Sequence, residues 1–99
     1  MKKRMGFISN SSSASFIVPL KALTGEQLNQ IENHVETYKE LCRTHPDEDQ
    51  REEWAGPTDE WRIRRIGRYL IGETTMTNID MRWIMEKIGV DMNEVEFGY

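Results

Sequence analysis

The sequence predicts an α+β fold, a small antiparallel sheet with two helices packed on one face. Three observations carry this reading. Residues 25–43 set apolar side chains at helical spacing behind a capping box, and residues 78–88 repeat the pattern over a shorter stretch. The segments at 15–18 and 61–71 have the β-branched, aromatic and alternating character of strands.

Ser15-Phe16-Ile17-Val18 reads as the first strand, closed by Pro19. Gly6-Phe7-Ile8, upstream of a Ser-rich run, reads as a further short strand or as a lead-in. Thr24 followed by Gln27 is a capping box, and Leu28, Ile31, Val35, Tyr38 and Leu41 or Cys42 then mark one helical face. Arg43 and His45 suit the carboxyl end of that helix, and Pro46 stops it.

Residues 46–60 carry seven acidic side chains against Arg51 and show no periodicity. They predict a solvated loop in which Trp54 is an anchor or packing lid. In residues 61–71, Trp61 and Ile63 alternate with Arg62 and Arg64 as on a half-buried strand. Ile66-Gly67 then reads as a turn and Arg68 to Ile71 as the return strand. A helix competes, since Ile63, Ile66 and Leu70 share a helical stripe, but Gly67 would weaken it.

Gly72 to Thr77 reads as a connecting loop. Thr77 with Asp80 makes a second capping pattern. Met81, Ile84, Met85 and Ile88 form one apolar face, and Gly89 with Val90 supplies a stop. Val95-Glu96-Phe97 reads as a last short strand.

The 99 residues amount to one domain, with 37% hydrophobic side chains and therefore a small core. A surplus apolar face shared with a partner or a second copy fits such a chain. The net charge of −4 argues against a protein that coats nucleic acid. One cysteine, Cys42, allows no internal disulfide and fits a reducing compartment. No apolar run is long enough to span a bilayer. The basic start Met1-Lys2-Lys3-Arg4 runs into Ser9 to Ser13 where a signal peptide would have its apolar stretch, so a cytoplasmic location is expected.

The stretch from Gly6 to Val18 (GFISNSSSASFIV) resembles an N-terminal signature of small proteins of tailed bacteriophages and some bacteria. Gly72 to Met81 (GETTMTNIDM) is similar to a second segment of the same group. Thr77 stands where that pattern has Asp and Ile79 where it has Phe, so no acidic ligand is expected at position 77. The two stretches span about a quarter of the chain. The resemblance implies a phage or prophage origin, and by analogy an accessory protein that modulates host machinery or a small virion part.

Among candidate sites, Ser11, Ser12 and Ser13 lie in a loop whose hydroxyls suit a phosphate or a partner's sheet edge, although the glycines and lysine of a P-loop are missing. Local hydroxyl-to-backbone bonding is the plainer explanation of the serines. Arg62, Arg64, Arg65 and Arg68, between Trp61 and Tyr69, are the best phosphate or nucleic-acid candidates. On a hairpin Arg62 and Arg64 share a face and Arg65 takes the other. The plainer reading is a solvated face neutralised by the acidic 46–60 loop. Cys42, His45 and His34 do not make a metal site, because His34 and His45 are eleven residues apart along one helix. They read as a half-buried thiol and two surface imidazoles. No nucleophile arrangement is visible, and capping explains Asp80 and Asn78.

The leading expectation is therefore a non-enzymatic protein without a cofactor, acting by protein–protein binding through the serines, Trp54 and its acidic loop, with a homodimer as one form. The alternatives are a nucleotide or phosphate module built on the serines and the arginines, and a minor virion component.

Overall fold

Alternation along the first strand sets the architecture. The computed structural model describes residues 13–56, 60–75 and 79–98. In β1 (Ser13–Pro19), Ala14, Phe16 and Val18 are buried while Ser15 is exposed and Ile17 half-buried. β1 pairs antiparallel with β3 (Tyr69–Thr75) and with β4 (Glu96–Gly98). β2 (Arg62–Ile66) pairs antiparallel with β3, giving the order β2-β3-β1-β4. The expected α+β class is what the molecule shows.

The hairpin expected at 61–71 is present. Gly67 (φ 60°) takes the first central position of a two-residue turn, a backbone state that primed hairpin turns require. The return strand runs further than expected. Gly72 to Thr75 read as loop in sequence because Gly, Glu and Thr give no apolar alternation, yet they continue β3 along the whole of β1. Gly72 has a packing reason: the Phe16 ring lies over its Cα, where a Cβ would approach Cε2 and come within 2.6 Å of Cζ.

The helix expected over 25–43 is two helices. α1 (Gly25–Glu32) begins with the capping box, Thr24 Oγ1 accepting from the Gln27 amide at 3.0 Å and Gln27 Oε1 accepting from the Thr24 amide at 3.0 Å. α2 (His34–Thr44) follows a break at Asn33 (φ −110°, ψ 43°). Side chains that compete for backbone carbonyls cause the break. Asn33 Nδ2 donates to Asn29 O (2.9 Å), Thr37 Oγ1 to Gln30 O (2.8 Å), and His34 Nδ1 lies 3.0 Å from Ile31 O. The apolar face of α2 becomes Tyr38 and Cys42 in line with His34.

α3 (Met81–Lys87) is capped by Asp80, whose carboxylate accepts from the Trp83 amide at 3.1 Å. Thr77, expected to share that cap, lies outside the described residues. Gly89 (φ 87°) ends the helix as expected: its amide donates to Glu86 O and that of Val90 to Met85 O (3.0 Å), the paired bonds of a Schellman stop. Gln27 Nε2 donates to Ile88 O (3.1 Å), tying the start of α1 to the end of α3.

The core lies between sheet and helices. Phe16, Val18 and Leu70 meet Ile31, Tyr38, Ile84 and Met85, all almost fully buried. Trp61 closes one side, 5.6 Å from the Phe16 ring, with its indole N–H on Ile79 O (3.0 Å).

Among the described residues the acidic loop is stapled to the helices and not to the hairpin arginines. Glu48 accepts from both the Trp83 indole (3.0 Å) and Lys87 (2.7 Å), Glu52 pairs with Arg43 (3.2 Å), and Gln50 accepts from the Tyr38 hydroxyl (3.1 Å). The pairing with Lys87, and then the indole bond, holds the Glu48 carboxyl below its ordinary range. Trp54, in a single 3₁₀ turn, packs half-buried on the core, as a lid would.

Candidate functional site

Among the described residues, one face of the sheet carries no helix. Register places Ser15, Ile17 and Pro19 of β1, Tyr69, Ile71 and Glu73 of β3, and Arg62, Arg64 and Ile66 of β2 together on it. Ile17 and Ile71 sit side by side at its centre, half-buried by their neighbours. Ile66 (48% exposed) and Tyr69 (45%) form the cross-strand pair beside the turn and are the exposed large hydrophobic side chains among the described residues. Charges rim this apolar centre, Arg62, Arg64 and Glu73 on one side and Glu96 on the other.

The arginines divide as the hairpin requires. Arg62 and Arg64 are on the open face. Arg64 pairs with Glu73, whereas Arg62 and Arg68 have no ionic partner among the described residues. Arg65 is on the helix side and makes a two-point contact with Glu32 (2.9 and 3.1 Å). The side chain of Arg65 holds the Glu32 carboxyl below its usual range. The neutralising carboxylates expected from the 46–60 loop thus come from β3 and α1. Of the two aromatics flanking the arginines, Trp61 is core and only Tyr69 is presented.

Ser11 and Ser12 lie outside the described residues, and Ser13 opens β1. Beyond Ser15, a hollow of about 340 Å³ is lined by Arg62, Glu73, Thr74, Thr75 and Gly98. It places the Arg62 guanidinium beside hydroxyls but also beside a carboxylate.

His34 departs most from expectation. It is 2% exposed, not a surface residue. Its Nε2 accepts from the Trp61 amide at 2.8 Å and its Nδ1 is 3.0 Å from Ile31 O. Those partners require a neutral ring that donates from Nδ1, and burial lowers its pKa. Only the Thr37, Asn33 and His34 run of carbonyl-seeking side chains hints at this in the sequence. His45 lies against the Trp83 ring edge (6.3 Å). Burial raises the pKa of the Cys42 thiol and of the Tyr38 hydroxyl, so neither ionises near neutrality. No cluster of three or more metal-ligating side chains occurs among the described residues. No helix among them is long and apolar enough to cross a membrane.

Asp80 is explained by its cap. Burial raises the pKa of its carboxyl, so ionising it costs the folded state at neutral pH, and this cost disappears as the pH falls through the raised value. Asp80→Asn keeps the accepting oxygen and sheds the charge. Thermal melts at pH 7 should place its Tm at or above the wild-type value, while Asp80→Ala loses about 1 kcal/mol with the cap.

Comparison with family models, with curated proteins and with solved structures finds no match to this chain.

Proposed function

We propose that this is a protein-binding module whose interface is the open face of its sheet. One observation carries the reading: the exposed Ile66–Tyr69 pair continues the Ile17–Ile71 centre into one apolar strip, and charged side chains surround it. An apolar centre with a polar rim is the anatomy of a specific protein interface. The occupant is a different protein. A second copy brought edge to edge through β2 would set Arg64 against Arg64. The resemblance of Gly6 to Val18 and Gly72 to Met81 to small phage proteins supports a host factor as that protein, bound to alter its activity.

The test is affinity capture by the full chain in three forms: wild type, Ile66→Ser/Tyr69→Ser on the open face, and Glu40→Lys on α2. The expected result is one stoichiometric protein retained by wild type and Glu40→Lys and reduced about tenfold or more by the double variant, since apolar anchors dominate such interfaces. Equal recovery by all three, with the double variant folded by circular dichroism, would remove this face from the interface.

A further inference from the structure

We infer that the partner adds an extended acidic segment as a fifth strand along β2, an inference that rests on the protein-binding reading above. β2 is an edge of the sheet among the described residues. In a two-residue hairpin the pair next to the turn, Ile66 with Tyr69, exchanges both ladder bonds, and alternate residues do the same. Arg62, Arg64 and Ile66 therefore bond inward to β3, while Trp61, Ile63 and Arg65 turn their backbone groups outward. The Trp61 amide confirms this parity, because it points away from β3 and is taken by His34 Nε2 at 2.8 Å. The next outward groups, the N–H and C=O of Ile63 and of Arg65, have no hydrogen-bond partner among the described residues. The structure thus closes the first outward position and leaves two open, in a strand that neither bulge nor proline blunts.

Side chains define what fits. A strand laid on this edge sets every second residue on the open face beside Arg62 and Arg64, and the intervening ones beside Ile63. Arg62 lacks an ionic partner among the described residues and the turn adds Arg68, so acidic residues at alternate positions are matched on one side and an apolar residue on the other. A second copy is mismatched. Antiparallel β2–β2 pairing through Ile63 and Arg65 makes Arg64 face Arg64 in the close, non-hydrogen-bonded position.

Amide hydrogen exchange of the full chain, followed by NMR, tests this with two probes, acetyl-(Val-Glu)₄-amide and acetyl-(Val-Lys)₄-amide. The Val-Glu peptide should slow exchange at the Ile63 and Arg65 amides by roughly tenfold at saturation, and less at high salt. The Val-Lys peptide should leave both unchanged. Fast exchange at both amides with the Val-Glu peptide overturns the inference, as does equal protection by both peptides. Protection that grows with protein concentration alone would assign the edge to a second copy and also overturn it. Failure here leaves the protein-binding reading intact if the Ile66→Ser/Tyr69→Ser variant still loses its partner. Indifference of capture to that variant removes the reading whatever the peptides do.

Discussion

Gly72→Ala is expected to destabilise the protein by about 3 kcal/mol, although alanine is the better strand residue. Backbone preference alone would favour the substitution by about 0.5–1 kcal/mol. Packing opposes it. Phe16 is 1% exposed, and its ring occupies the place of the new methyl, which would stand 2.6 Å from Cζ. The ring has little room to move, with Trp61 at 5.6 Å and Phe97 at 6.1 Å between centroids. Dense interiors transmit such strain instead of absorbing it. Urea titration should show the midpoint fall with an unchanged slope. In a Phe16→Leu background the added cost should shrink to below about 1 kcal/mol, because the two positions share one volume. A neutral Gly72→Ala in the wild-type background would show that the ring does not sit over the glycine.

Acid should weaken the fold through His34 before it titrates most carboxylates. The ring is neutral and doubly engaged in the folded chain and free to protonate at its ordinary pKa of 6.5 in the unfolded one. A lowered folded pKa means that the unfolded chain binds more protons, so stability falls as pH falls. The contribution is complete above pH 6.5 and declines below it, by up to about 1.4 kcal/mol per pH unit, until the lowered folded value is reached. Glu60 faces the ring and favours its charge, which tempers the effect without reversing it. Urea midpoints measured from pH 8 to pH 5 should trace this decline. His34→Gln, which keeps an acceptor for the Trp61 amide and does not titrate, should flatten it. His34→Ala should cost about 3 kcal/mol at neutral pH, since it leaves a cavity and a buried N–H without an acceptor. A pH dependence identical in wild type and His34→Gln would assign acid sensitivity elsewhere.

The parts legible in the sequence were those written in local chemistry. Thr24 and Gln27, Gly89 with Val90, and the Trp61 to Arg64 alternation each act within a few residues, and each occurs as read. The parts that were missed depend on distant partners. Gly72 is strand because Phe16 needs a neighbour without a side chain, which no window around GETT reveals. His34 is buried because the Trp61 amide, 27 residues away, needs an acceptor. In sequence the acidic loop reads as the answer to the hairpin arginines, but the fold brings its Glu48 and Glu52 to Lys87 and Arg43. For the candidate site, periodicity separated Arg62 and Arg64 from Arg65. That no described helix covers the Arg62 and Arg64 face followed only from which side the helices took.

The position of β1 also sets the order in which the chain can fold. β1 precedes the other described strands in the chain, yet it lies inside the sheet, and its neighbours arrive with residues 69–75 and 96–98. At ribosomal rates of about 5–20 residues per second, Phe16, Ile17 and Val18 wait roughly 3–11 s after synthesis before β3 is complete. Both edges of an apolar strand stand open for that time. Helical turns can form earlier, but the sheet closes only when residues 96–98 have emerged, so its assembly comes late and the nascent β1 is the segment that a chaperone would hold.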